Sequence, residues 1–220
     1  MRAPSLVGDR WWTFAAPVYD VAVASVGWHR CLRDLVAGTT SGRVLEVGCG
    51  PSYLGPLLTA RGVDYVGVDR NRAMLDRAAR GVPRPALVRA DLTALPFADD
   101  SFDVVLAPAV LGLLDVRLRH RALAEVVRVA RTELRLLEPL HRPGEPVHQL
   151  RSRVIGLVRE RPLEIEELLD VGLTPRVVGR SRLGGVYSVV IAGVGAAVEG
   201  HQGSGLGEQG VQDLEGGLEV

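Results

Sequence analysis

Short runs of Val, Leu and Ile alternate along this chain with stretches whose apolar residues recur three and four positions apart. The first pattern predicts strands buried on both faces, the second amphipathic helices laid on a sheet. Strands are predicted over residues 44–47, 65–68, 86–88, 103–107, 133–138, 175–179 and 186–192. Helices are predicted over 53–61, 72–80, 116–131 and 161–171. In the third helix, Leu118, Ala122, Val126 and Val129 form one stripe with Arg and Glu opposite, the mark of a helix on a sheet. Gly62 and Gly81 each follow a basic residue at a helix end and are expected to form left-handed caps. Pro162 is expected in the first turn of the last helix, whose dipole Glu164, Glu166 and Glu167 favour and which Gly172 closes.

Strands alternating with helices predict a parallel sheet covered on both faces. The expected fold is therefore α/β, a Rossmann-like doubly wound sheet of seven strands, mostly parallel. The last two strands, with Gly184 and Gly185 between them, read as a C-terminal antiparallel hairpin. Two segments lie outside this core. Residues 1–42 hold Trp11, Trp12 and Trp28 with Tyr19 and are expected to form an N-terminal helical cap over the ligand end of the sheet. Residues 43–194 are then the ligand-binding domain, and the Gly-rich, acidic, aromatic-free residues 195–220 are expected to be a disordered tail.

Composition narrows the function. A chain of 220 residues suits one domain with a sizeable core. Lys+Arg and Asp+Glu both number 26, so no net field concentrates a nucleic acid, and no nucleic-acid partner is expected. Every one of those basic residues is Arg, which excludes a Lys general base or Schiff base. Cys31 and Cys49 are the only cysteines, too few for a disulfide framework and without metal-ligand spacing, so no metal site is expected and a reducing, cytoplasmic setting is. No run stays apolar long enough to span a bilayer and the first residues carry no apolar leader core, so neither membrane insertion nor secretion is expected.

The chemistry concentrates after the first strand. Val44-Leu45-Glu46-Val47 runs into Gly48-Cys49-Gly50-Pro51-Ser52 and then into a helix. Glycines at such a bend let the backbone approach a ligand, and the helix start offers free N–H groups to a nucleoside-type cofactor. A dinucleotide fingerprint would place a third glycine where Tyr53 stands. Glu46, two residues before Gly48, is an acidic residue that a nicotinamide motif does not require.

The Val-Leu-Glu-Val-Gly-Cys-Gly stretch resembles motif I of the class I methyltransferases that use S-adenosyl-L-methionine (SAM). The resemblance continues through Asp69 in Val66-Gly67-Val68-Asp69-Arg70-Asn71, Asp91 in Arg89-Ala90-Asp91-Leu92, and the approach Ser101-Phe102-Asp103-Val104-Val105 to the fourth strand. It covers roughly residues 44–138 and is nearest to the quinone-biosynthesis and related small-molecule methyltransferases, which also carry a run like Ala16-Pro17-Val18-Tyr19-Asp20. The resemblance implies that Glu46, Gly48, Cys49, Gly50, Asp69, Arg70, Asp91, Leu92, Ala107 and Tyr19 bind the cofactor. Asp69 would accept both ribose hydroxyls and Asp91 would meet the adenine amino group. Ser52, where the family often has a third glycine, and the absent Pro-Gly-Gly turn before the fifth strand are the departures.

The implied activity is methyl transfer from SAM to a small-molecule acceptor, with S-adenosyl-L-homocysteine (SAH) as product. His141 and His148, after the fifth strand, are the candidate catalytic bases; both also read as ordinary loop histidines. Trp11, Trp12, Trp28 and Tyr187 read either as packing residues or as the lining of an acceptor pocket. Arg142, Arg151, Arg153, Arg159 and Arg161 read as a solvated face. Two alternatives stay open: a catalytically silent methyltransferase-like scaffold for a partner protein, and a nicotinamide-dependent oxidoreductase, which lacks a Tyr-x-x-x-Lys pair here.

Overall fold

The computed structural model describes residues 28–140, 161–180 and 187–194. In chain order these form helix α1 (Trp28–Leu35), β1 (Arg43–Val47), α2 (Leu54–Thr59), β2 (Asp64–Asp69), α3 (Arg72–Ala78), β3 (Ala86–Arg89), β4 (Phe102–Pro108), α4 (Val116–Val129), β5 (Ala130–Pro139), α5 (Ile165–Leu169), β6 (Thr174–Arg180) and β7 (Tyr187–Gly193). A single 3-10 turn, Leu111–Leu113, lies between β4 and α4.

The strands form one seven-stranded sheet in the order β3-β2-β1-β4-β5-β7-β6. Strands β1 to β5 pair in parallel. Strand β7 runs antiparallel to both β5 and β6, so it alone is reversed and β6 again runs with the rest. The expected doubly wound architecture is present, and the hairpin docks through its second strand.

Alternation along each strand sorts the core into two layers. On one face Leu45, Val66, Val105, Leu134, Leu136 and Val190 meet Ala122, Leu123 and Val126 of α4 and Leu168 of α5. On the other, Val44, Tyr65, Leu106, Leu137 and Val189 meet Trp28, Cys31, Leu32 and Leu35 of α1 and Leu54 and Leu58 of α2. Trp28 is thus a packing residue. The described part of the expected N-terminal cap, α1, lies along this face, tied at its end by the Arg135 guanidinium, which donates to the Leu35 and Ala37 carbonyls. Trp11 and Trp12, like residues 195–220, lie outside the described residues.

Several boundaries depart from the periodicity. Strand β5 begins at Ala130, directly after α4, rather than at 133, because Ala130 is fully buried and pairs with Phe102 across a bulge. No turn is needed between helix and strand, which accounts for the missing Pro-Gly-Gly. The last helix begins at Ile165, not at 161. Leu163 is held in an isolated bridge to Leu140, its N–H donating to the Pro139 carbonyl at 2.7 Å, so Pro162 lies in extended chain ahead of the helix. Gly62 and Gly172 adopt φ of +78° as left-handed caps. Gly81 does not; it permits close packing instead, since a Cβ there would lie 2.7 Å from Pro56 Cγ.

One buried cation fixes the C-terminal part. Arg119 of α4 is 1% exposed. Its guanidinium donates to the Glu167 carboxylate at 2.8 Å and to the carbonyls of Pro162 and Arg161 at 2.9 and 3.1 Å. Replacing Arg119 with Met removes the donor from a partly buried carboxylate and two backbone carbonyls, so the Arg119→Met protein is expected to lose about 1–3 kcal/mol. Urea denaturation checks this, and a loss below about 1 kcal/mol would mean that apolar packing, not the ion pair, holds residues 161–167.

Candidate active site

Strand order reverses between β1 and β4, and in such sheets a crevice opens beyond the carboxyl ends of the strands on either side of that point. A cleft of about 830 Å³, part of it open to solvent, lies there. Its first wall is built by the turns that follow β1, β2 and β3, its second by the segment after β4.

The first wall is cross-stapled. Gly48 and Gly50 take φ of +65° and +52°, which turns two successive N–H groups away from β1. The Cys49 N–H donates to the Val68 carbonyl, and the Gly50 N–H to Asp69 Oδ2, both at 2.9 Å. Asp69 Oδ1 accepts the Asn71 N–H at 2.7 Å. The carboxylate is thereby oriented from two loops at the edge of the cleft. Asn71 in turn caps α3, accepting the Met74 N–H at 3.1 Å. Arg89 Nε donates to the Arg70 carbonyl at 3.0 Å, tying the end of β3 to the same loop. Asp91 Oδ1 accepts from the Thr93 N–H and hydroxyl, which turns this exposed carboxylate at the far end of the cleft.

The second wall comprises Pro108, Ala109, Val110, Leu113 and Leu114. The two walls nearly touch at Gly48, where an added Cβ would lie 2.3 Å from Val110 Cγ2. Apolar side chains, including Met74 and Leu92 on the first wall, thus face a cleft whose polar fittings are Asp69, Arg70, Asn71 and Asp91.

Behind the glycine turn, away from the cleft, lies a buried polar chain. The Tyr65 hydroxyl donates to Glu46 Oε2. Ser52 Oγ is 2.7 Å from the same hydroxyl, and since Tyr65 gives its single proton to Glu46, Ser52 is the donor to Tyr65. Burial pushes the Glu46 carboxyl up to about 8; the Tyr65 hydrogen bond opposes this and the neighbouring Asp69 charge adds to it. Burial likewise pushes the Cys49 thiol well above its ordinary range, which keeps it protonated and poorly nucleophilic.

Against known proteins, residues 45–137 match the model of a family described as a methyltransferase domain. The chain is 38% identical over 122 residues to a demethylmenaquinone methyltransferase of Renibacterium salmoninarum, a match covering 53% of this chain and 51% of that protein. It is also 38% identical to the phthiotriol/phenolphthiotriol dimycocerosates methyltransferase 1 of Mycobacterium ulcerans, over 56% of this chain and 50% of that one. The chain spans about half the length of these curated relatives. In structure it is similar to the magnesium protoporphyrin IX methyltransferase of Synechocystis with bound SAH, at a TM-score of 0.58 and 18% identity over 80% of this chain and 82% of that one. The fold is that of the class I SAM-dependent methyltransferases.

Of the expected cofactor set, Gly48, Gly50, Asp69, Arg70, Asp91 and Leu92 line this cleft. Glu46 does not; it is 3% exposed, behind the turn. Cys49 is buried beneath the turn, close under Gly67. Ala107 is fully buried against the α4 layer, and its neighbours Pro108 and Ala109 face the cleft instead. His29 packs edge-on against Tyr53 with ring centroids 4.8 Å apart, and His120 is exposed on α4. Tyr19, His141 and His148 lie outside the described residues, as do the side chain of Tyr187 and residues Arg142, Arg151, Arg153 and Arg159. Sequence reasoning passed over Asn71 and Met74, which the Asn-cap pattern before α3 signals, and the second wall, which carries no local motif.

The Glu46 shift gives a pH test. Below its ordinary value of 4.5 the carboxyl is protonated in native and unfolded chains alike, and its contribution to stability is at its fullest. Between 4.5 and about 8 the native protein keeps a proton that the unfolded chain releases. Stability should therefore fall as pH rises, by up to about 1.4 kcal/mol per pH unit, and level off above the upper value. Urea denaturation of the wild type and of Glu46→Gln across this range should show the wild type losing stability relative to the variant as pH rises, at no more than this slope; parallel curves would show that the carboxyl titrates normally.

Proposed function

We propose that this chain is a SAM-dependent methyltransferase acting on a small, largely apolar acceptor. The observation that carries the reading is the convergence of Gly48, Gly50, Asp69 and Asp91 on one cleft at the switch point of the sheet. Asp69, its two oxygens oriented by the Gly50 and Asn71 amides, suits a pair of vicinal ribose hydroxyls. Asp91 suits an exocyclic amine, with Met74 and Leu92 flanking a flat base. The turn at Gly48, with no room for a Cβ under Val110, lets a ligand chain run close to the backbone. The residues present therefore fit this cofactor.

When bound, SAM supplies a methyl carbon on a positively charged sulfur, open to in-line displacement by a nucleophile. The protein's own task is chiefly alignment and exclusion of water, which can lower a barrier of this kind by several kcal/mol without a strong acid or base. The apolar wall of Val110, Leu113 and Leu114 serves that purpose. His141 and His148, just after β5, stand as the candidate bases for an acceptor that must lose a proton. The names of the relatives, methyltransferases of demethylmenaquinone and of phthiotriol dimycocerosates, support a small-molecule acceptor. The even charge balance supports the absence of a nucleic-acid partner. Among the described residues no helix is long and apolar enough to cross a membrane, which fits the expected cytoplasmic location. The same reading keeps residues 1–42 as a cap and 195–220 as a tail outside the domain.

Calorimetric titration with SAM, SAH and NAD is expected to give binding of the two sulfur ligands alone; heat with NAD and none with SAH would return the oxidoreductase reading. Asp69→Ala should weaken SAH binding by about 1–3 kcal/mol through the lost hydroxyl contacts. An unchanged affinity in the folded variant would place the ribose elsewhere in the cleft.

A further inference from the structure

We propose that Glu138 is a positioning residue for the cleft: fully buried at the end of β5, it holds the second wall in place through that wall's own amides. Glu138 is 0% exposed and lines no part of the cleft. Its Oε1 accepts the N–H groups of Val110 and Leu111 at 2.7 and 2.8 Å, and its Oε2 the Gly112 N–H at 3.3 Å. These are the opening amides of the 3-10 turn, which have no partner within the turn itself. A carboxylate accepting several N–H groups binds them more strongly than a neutral oxygen can.

The segment so held carries the site. Val110, Leu113 and Leu114 form the wall, and Val110 stands directly over Gly48, so any drift of the turn alters the narrowest point of the cleft. Leu111 packs into the core, and the turn also has backbone ties. The Ala109 N–H donates to the Leu137 carbonyl at 2.9 Å, and the Gly112 carbonyl accepts the Arg161 N–H at 2.8 Å. Among the described residues, Glu138 is the side chain that grips the three successive amides. Burying a carboxylate is costly in stability compared with an apolar residue of like volume. Its placement therefore points to the geometry of the wall, not to bulk packing.

The affinity arm of the test rests on the SAM reading; the exchange arm does not. Glu138→Leu and Glu138→Gln are compared with wild type by thermal melting, by SAH titration at a temperature where each is folded, and by amide hydrogen exchange of the free proteins. In Glu138→Leu, SAH binding should weaken roughly tenfold or more, and the amides of residues 110–112 should exchange faster while those of β1 and β2 do not. Glu138→Gln keeps one carbonyl oxygen for Val110 and Leu111, so it should recover most of the affinity and lose protection chiefly at Gly112. A purely structural carboxylate would lower the melting temperature and leave the folded protein's affinity as it was. That result, or affinity within about twofold of wild type, overturns the proposal. Should Glu138→Leu not fold, the Gly112 amide in Glu138→Gln decides, and unchanged protection there overturns it. Failure of the wild type to bind SAH defeats the proposed cofactor alone, and the exchange pattern in Glu138→Gln then judges Glu138.

Discussion

The cleft depends on one joint: the turn after β1 is fastened to the end of β2 instead of to its own helix. Helix α2 starts at Leu54 with no side-chain cap at Tyr53, so the turn gets little hold from that direction. It is held by two successive amides, Cys49 to the Val68 carbonyl and Gly50 to the Asp69 carboxylate. Positive φ at both flanking glycines is what aims those amides at the neighbouring strand, and L-residues with side chains pay heavily for that conformation. A single carboxylate thus serves two ends, fixing the turn and facing the ligand space. Loss of either glycine would disturb Asp69 as much as the turn itself.

Behind the joint, the protein accepts a cost. Glu46, Tyr65 and Ser52 are buried together under the turn, where apolar residues would be easier to bury. The chain of hydrogen bonds runs from Ser52 through Tyr65 to Glu46, so the residue that replaces the family's third glycine is anchored to β1 and β2 through its side chain. Ser52 itself takes φ of +54°, a conformation glycine adopts freely and serine does not. The buried hydroxyl contact offsets that strain. Space for the chain comes from glycine on either side, since a Cβ at Gly55 or Gly67 would lie 2.5 Å from Ser52 Oγ or 2.7 Å from the Tyr65 hydroxyl.

How much of this was legible in sequence follows from which interactions are local. Strand and helix cores, the order of elements and the turn residues Gly48, Gly50 and Asp69 all announce themselves by periodicity or by residue type at a bend. Glu46, an acidic residue at a strand end, is expected to face a ligand; side-chain alternation places it on the α1 and α2 side with Val44 and Tyr65. Ala107 packs into the opposite layer. Boundaries failed where tertiary contacts overrode local signals: the bridge of Leu163 to Leu140 delays α5 past Pro162, and the pairing of Ala130 with Phe102 removes a turn before β5.

The two walls differ in kind. The first wall is made within a continuous stretch, from Gly48 to Leu92, from positive-φ glycines, an Asn cap, a carboxylate bonded two residues on, and staples between successive loops that span 19 residues. The second wall is apolar, and its shape is set from afar. Glu138 reaches it across 26 to 28 residues of chain, and Arg161 meets the Gly112 carbonyl from further still. A wall fixed by such contacts can be reshaped by substitutions distant in sequence while the cofactor side keeps its pattern. On the proposed reading, one methyl donor paired with varied acceptors calls for that division of labour from one fold.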